Sequence, residues 1–125
     1  NPLTEHETLA DLAKTVGFDV TLPTLDKAYK ETAFIDISGT TADVRFADGE
    51  DTITFRKAKG SDDISGDNKT YKENKTIAVK DVSVSVKGND GINTATWQKD
   101  GFTYSFSSDK AMTQDALVKA IENLF

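Results

Sequence analysis

Apolar residues at helical spacing lie near both ends of the chain. The spacing i, i+3, i+4, i+7 of an amphipathic helix is met by Leu9, Leu12, Ala13 and Val16. This helix can start at Thr4, which forms a capping box with Glu7, or at Thr8, and Gly17 suits a left-handed C-terminal cap. A second stripe, with Thr113 as its predicted N-cap, comprises Leu117, Ala120, Ile121 and Leu124.

Between the two helices the hydrophobic period is two, as in strands with one buried face. Phe18, Val20 and Leu22 alternate with polar residues and predict a first strand, which Pro23 ends. Several further alternating runs follow from residue 33 onward. The sequence therefore predicts a sheet between the helices.

Tight turns give strand registers that can be checked against the apolar pattern. A two-residue turn at Asp48-Gly49 predicts that Val44 lies opposite Ile53 and Ala42 opposite Phe55. Apolar residues then meet apolar residues on one face, which is what a sheet with one buried side needs.

Two further turns, Asp100-Gly101 and Lys80-Asp81, give the same result. They predict the pairs Trp97 with Tyr104, Ala95 with Phe106, Val79 with Val82 and Ile77 with Val84. The predicted fold class is α+β: an antiparallel meander sheet of about seven or eight strands, with the N-terminal and C-terminal helices packed on one face. Residues 1–125 form a single domain.

Composition narrows the function classes. The chain has 125 residues, and 15 Lys and Arg against 21 Asp and Glu give a net charge of 15 − 21 = −6. An acidic chain without a basic block is a poor binder of nucleic acid. No apolar run reaches the roughly 18 residues of a membrane span, so we expect no membrane insertion by this domain. Without Cys there is no disulfide framework, thiolate metal site or Cys nucleophile.

The segment 57–75 breaks the alternating pattern and is long for an unstructured connection. We predict no metal site, but Asp62, Asp63 and Asp67 are the oxygen ligands that a cation such as Ca²⁺ would use. Their spacing does not match an EF-hand loop. The competing interpretation is a solvated connection with Ile64 packed against the domain.

Catalytic arrangements are scarce in this sequence. His6 is the only histidine, and its place before the first helix indicates an incidental, exposed residue. Acidic residues such as Asp36 and Asp43 fall where strands face water. No glycine-rich phosphate loop follows a strand, so no cofactor is predicted. The cluster of Trp97, Phe102, Tyr104 and Phe106 could line an apolar ligand groove, but it shares the predicted buried face and is interpreted as core.

Three stretches together resemble a bacterial family of extracytoplasmic domains of unknown function. They are residues 8–13 with 16–18 and Leu22-Pro23, residues 55–60 with 63–67, and residues 95–97 with 101–106. The resemblance covers nearly the whole chain, and the Asp-Ile-Ser-Gly run is its most specific part. Residues 25–29 depart from the family pattern, which usually has a Pro and a Gly before the Tyr. Members are typically secreted, lipid-anchored, or outer parts of anti-sigma-factor-like membrane proteins, mainly in Gram-positive bacteria.

The resemblance implies a non-catalytic domain outside the cytoplasm, secreted or membrane-anchored, whose leader is absent from this chain. It would bind or sense an unidentified protein or small-molecule ligand at the cell envelope, and the Ser- and Thr-rich sheet face with Arg45 and Arg56 is a possible contact surface. The familiar loop leads us to expect a structured turn at Asp63, Ile64, Ser65, Gly66 and Asp67. The alternative is a small hydrolase or a calcium-dependent protein that uses the acidic loop 57–75.

Overall fold

An eight-stranded antiparallel sheet dominates the structure, a computed structural model that describes residues 2–125. In chain order the elements are β1 Leu3–His6, α1 Leu9–Val16, β2 Lys30–Ile37, β3 Thr41–Asp48, β4 Asp51–Lys59, β5 Glu73–Val79, β6 Val82–Gly88, β7 Ile92–Lys99, β8 Phe102–Met112, α2 Gln114–Ile121 and a 3₁₀ turn Glu122–Leu124. The predicted α+β class is confirmed.

The spatial strand order is β1-β2-β3-β4-β8-β7-β6-β5. Two four-stranded meanders, β1 to β4 and β5 to β8, therefore join where β4 pairs with β8. The chain passes from one meander to the other through residues 60–72, between the ends of β4 and β5.

The two faces of the sheet differ in composition. On the apolar face, cross-strand neighbours run from Val44 through Phe55 and Phe106 to Ala95, and each of these four residues is at most 1 % exposed. Both helices contribute to the same core, chiefly through Leu12, Val16, Leu117 and Ile121. The opposite face carries Asp43, Arg56, Ser105 and Thr96 at the corresponding register positions, and we call it the polar face.

Helix α1 begins after Thr8, whose hydroxyl accepts from the Asp11 amide at 3.1 Å, so the later of the two predicted starts is correct. The earlier start at Thr4 is wrong because Thr4 lies in β1, opposite Asp36 of β2. Gly17 caps the helix in the left-handed region at φ 84°, and Thr113 caps α2 as predicted.

The strand predicted at residues 18–22 is absent, although the alternation behind it is real. Val20 is buried, and Phe18 stacks edge-on against Phe102 at 5.2 Å. The main chain here forms hydrogen bonds with groups outside any neighbouring strand. Lys57 Nζ donates to the Asp19 carbonyl at 2.7 Å, and the Thr24 amide donates to the Ala120 carbonyl at 2.8 Å. An extended segment between the sheet and a helix can bury every second side chain without pairing to a neighbouring strand.

Two of the three predicted registers are confirmed, at Asp100-Gly101 and Lys80-Asp81. The third is wrong by two residues, because Val44 lies opposite Phe55 and Phe46 opposite Ile53. Gly49, at φ 60°, takes the first turn position instead of the second, and Asp48 pairs with Asp51. A shift of two leaves every side chain on its predicted face.

The connection between β6 and β7 has no room for a side chain at Gly88. A Cβ there would lie 1.8 Å from the Gly91 carbonyl oxygen, whereas a Cβ at Gly39 meets nothing within 4 Å. We expect Gly88→Ala to lower the free energy of unfolding by about 2–3 kcal/mol. The control Gly39→Ala, at φ 71°, should cost about 1 kcal/mol through its left-handed backbone alone. Urea denaturation of both variants measures the difference, and equal losses would contradict the clash.

Candidate functional site

Residues 60–72 lie over the polar face, and we call them the roof segment. Arg56 of β4 donates to the Ile64 carbonyl at 2.9 Å, Thr94 of β7 donates to the Asp67 carboxylate at 2.7 Å, and Gln98 of β7 donates to the Ser61 carbonyl at 3.0 Å. The polar side chains beneath are consequently buried, with exposed fractions of 0 % for Asp43 and 1 % for Ser105. The face that the sequence predicted to be solvated is therefore partly covered.

The roof segment has its own sequence of turns. The Ser65 amide donates to the Asp63 carboxylate at 2.9 Å, and the Asp67 amide donates to the Ser65 hydroxyl at 3.2 Å. Gly66 sits at φ 66°, and a Cβ added to it would lie 2.8 Å from Arg56 Nη1. A short polar side chain or a glycine is needed at each of these positions because the segment turns tightly while staying close to the sheet.

Arg56 joins the sheet to the roof segment. Its Nε donates to Asp43 at 2.8 Å, and the same carboxylate accepts from Arg45 Nε at 3.1 Å. Asp43 is fully buried, and the less exposed of its two partners, Arg56, offsets most of the loss of its hydration. The other arm of Arg56 reaches Ile64, so a single guanidinium contacts both the buried charge and the roof segment.

Asp67 is a second link between the layers. Its carboxylate accepts from the Tyr71 hydroxyl, from Thr94 and from the Lys69 amide. Burial alone would raise the pKa of Asp67, but these hydrogen bonds outweigh it and hold the pKa below the ordinary value of 3.8. Desolvation, followed by the bond to Asp67, raises the pKa of Tyr71. The carboxylate is thus held ionised as an acceptor for the roof segment.

Beside the roof segment a cleft of about 500 Å³ opens toward the turn between β5 and β6. Its donor and acceptor groups are mostly hydroxyls, from Ser61, Ser83, Ser85, Thr96 and Thr103. Asp63, Asp81 and Gln98 add two carboxylates and an amide, and Val82 and Trp97 complete the lining. No Lys, Arg or His belongs to this lining. The arrangement suits a ligand that is recognised through hydrogen bonds.

Strands β6 and β7 form only a short ladder beside this cleft. Their ladder consists of three register pairs, Ser85 with Thr96, Val86 with Ala95 and Lys87 with Thr94, and none joins the lining residues Val82 and Ser83 to β7. Ser105 Oγ on the polar face and Trp97 Nε1 in the core are each buried without a hydrogen-bond partner among residues 2–125. A buried donor left unpaired costs about 1–3 kcal/mol.

The structure separates the acidic residues singled out as cation ligands. Asp63 caps the Ser65 amide and Asp67 binds Tyr71 and Thr94, while Asp62 is exposed. Within residues 2–125 no group of three or more His, Cys, Asp or Glu side chains is placed to hold a metal ion. The structure therefore does not favour the calcium-dependent alternative.

His6 is neither exposed nor isolated, contrary to the expectation from its position. Its Nε2 lies 2.6 Å from Asp36 Oδ2, and the two side chains are 17 % and 6 % exposed. The bond from His6 lowers the pKa of Asp36. Both residues belong to the β1 end of the sheet, on the opposite face from the cleft, and link β1 to β2.

The aromatic cluster lies in the core, as interpreted from the sequence. Trp97 stacks on Tyr104 and on Phe125, with ring centroids 5.2 Å apart in both pairs. Lys57 places its ammonium 4.3 Å from the centre of the Phe102 ring, and desolvation lowers its pKa. The cleft residues that the sequence did not single out are the hydroxyls of β6 to β8. Their signal was the alternation of Ser and Thr with apolar residues.

One sequence family matches residues 22–124, which carry β2 to β8, α2, the roof segment and every residue of the cleft. The chain belongs to the DUF4367 family, a domain of unknown function. No curated protein and no solved structure matches the chain. In this DUF4367 domain β1 and α1 lie outside the matched residues, although Leu12 of α1 is fully buried in the core. Among residues 2–125, no helix has the length and apolar character needed to cross a bilayer.

Replacing Arg56 by Met tests its link between sheet and roof segment. The change leaves the buried Asp43 with one partner, so we expect the free energy of unfolding to fall by about 3 kcal/mol. The control Arg45→Met removes a guanidinium whose side chain is 42 % exposed and should cost under about 1 kcal/mol. The double variant Asp43→Leu with Arg56→Met should regain part of the loss. Chemical denaturation decides, and equal losses for Arg56 and Arg45 would contradict the assignment.

Asp67 should make the free energy of unfolding depend on pH in the acidic range. Because its folded pKa lies below 3.8, its contribution is present above about pH 4 and is lost as the pH falls through the folded value. We expect Asp67→Asn to cost about 1–2 kcal/mol at pH 7 and less at pH 3. The control is Asp62→Asn at an exposed position of the same segment. A cost for Asp67→Asn that is the same at both pH values would count against the ionised acceptor.

Proposed function

We propose that this DUF4367 domain is a non-catalytic binding module that acts outside the cytoplasm at the cell envelope. The observation that carries the proposal is the cleft beside the roof segment, whose lining is almost entirely hydrogen-bonding side chains. Its volume of about 500 Å³ falls within the roughly 300–1,000 Å³ of small-molecule sites. The extracytoplasmic part rests on the sequence resemblance. A chain without Cys is compatible with it, because no thiol responds to an oxidising environment.

A binding role is supported by what the titratable groups already do. Asp43 and Asp67 accept hydrogen bonds that hold the roof segment, and Asp36 is paired with His6. General acid–base chemistry needs a group that is free to exchange a proton with the substrate. The cleft lining offers no imidazole or ammonium for that purpose. Its Asp63 accepts the Ser65 amide, which favours a structural use of that carboxylate.

The proposal is tested by binding to fractions of the cell envelope. Soluble wall polymers, membrane vesicles and envelope proteins are each mixed with the 125-residue domain, and binding is followed by co-sedimentation and by amide shifts in NMR spectra. We expect one fraction to bind, and Ser85→Trp to abolish binding because an indole at this exposed cleft position fills the site.

The matched control is Thr52→Trp, an exposed residue on the polar face of β4 away from the cleft. Binding that survives Ser85→Trp, or that is lost equally in both variants, would overturn the cleft assignment. Protease added to intact cells that carry the natural full-length protein tests its location. Digestion of the domain is expected, and complete protection in cells with an intact membrane would overturn the extracytoplasmic part.

A further inference from the structure

We infer that the ligand of the cleft is a neutral saccharide, an inference that rests on the proposed binding function. The first reason is charge. The lining contains the carboxylates of Asp63 and Asp81 and no cationic side chain. Anions such as phosphate esters are bound through Arg, Lys or clustered main-chain amides, so the cleft disfavours them. The chain as a whole carries a net charge of −6, which acts in the same direction.

The second reason is the kind of hydrogen bonding on offer. A hydroxyl both donates and accepts, and the cleft presents five of them, four of which lie on the strands β6, β7 and β8. Ser83 and Ser85 follow one another along β6, and Ser85 lies directly opposite Thr96. Such neighbours are about 5 Å apart across strands and about 7 Å apart along one strand. A ligand whose own hydroxyls recur around a ring can bond to several of these groups at once.

The third reason is the need for donors on the ligand. Ionised carboxylates only accept, and Asp63 has one oxygen engaged by the Ser65 amide while Asp81 lies exposed at the rim. Two neighbouring hydroxyls of a sugar can donate to one carboxylate.

The short ladder between β6 and β7 suggests a different ligand, an extended peptide that pairs with the part of β6 outside the ladder. The geometry favours a saccharide over it. The ladder begins at the Ser85–Thr96 pair, so the stretch of β6 left for a peptide strand is short. The remaining groups are side chains spread over three strands and the roof segment. They match a compact polyhydroxylated ring better than a linear main chain.

The test titrates the isotope-labelled 125-residue domain with three probes: a panel of neutral oligosaccharides, a glycerol phosphate oligomer and a serine- and glycine-rich peptide. We expect saturable shifts for at least one saccharide at the amides of Ser83, Ser85 and Thr96. The phosphate oligomer and the peptide should leave them unchanged. Ser85→Trp should abolish the shifts and Thr52→Trp should retain them. Asp81→Asn should weaken binding about tenfold, the effect of losing about 1.4 kcal/mol.

The outcomes separate this inference from the proposed function. If an envelope fraction binds at the cleft but no neutral saccharide does, the binding function stands and the saccharide inference is overturned. Saturable binding of the peptide or the phosphate oligomer in place of a saccharide also overturns it. If a saccharide binds and is cleaved, and Asp63→Asn or Asp81→Asn stops cleavage, the ligand class stands and the non-catalytic proposal fails.

Discussion

The buried carboxylate of Asp43 is the constraint on which the polar face depends. A charge that is fully buried must be matched by cations and hydrogen bonds, and Arg56 supplies both. Because the same guanidinium binds the Ile64 carbonyl, neutralising the charge also fixes the roof segment over the sheet. The roof segment has few apolar side chains, so the hydrophobic effect alone would not hold it there. Directional bonds do, and they also set the position of the cleft wall.

The two faces of the sheet are consequently covered by layers that are held by different interactions. The apolar face is covered by helices through Leu12, Leu117 and their neighbours, and this side supplies most of the hydrophobic stabilisation. The polar face is covered through hydrogen bonds made by Arg56, Asp67 and Gln98. A cleft on the second side can change shape or occupancy without disturbing the core. This separation of the stabilising core from the cleft suits a domain that binds a ligand on its polar face.

Local turn chemistry made part of this fold predictable. Asp100 and Gly101 both adopt positive φ, at 53° and 84°, and the register predicted from that turn is confirmed. The same dipeptide at Asp48-Gly49 places its glycine in the first central position, so an Asp-Gly pair alone does not fix the register. Residues 18–22 show a different limit. Alternation reports which side chains are buried, and it does not report whether the main chain has a strand partner.

The candidate site was less predictable, for a reason that Asp43 illustrates. A polar residue in an alternating strand normally faces water, and nothing near it in sequence indicates that residues 60–72 will cover it. The family resemblance led us to expect a structured turn in that segment, and Asp63, Ser65 and Gly66 lie in tight turns. Which face the segment covers depends on the order β4-β8-β7, a long-range property. The cleft follows from that order and not from a local motif.

The place of β8 has a consequence for the order of assembly. It is the last strand along the chain, yet it lies in the middle of the sheet between β4 and β7. Strands made early on a ribosome must therefore wait with an open edge on β4 until Phe102–Met112 emerges. Edge strands with unpaired main-chain groups are templates for association with other chains. The acidic and lysine-rich stretch that follows β4 is synthesised during this interval. The open edge of β4 makes the chain most exposed to misassembly at that time.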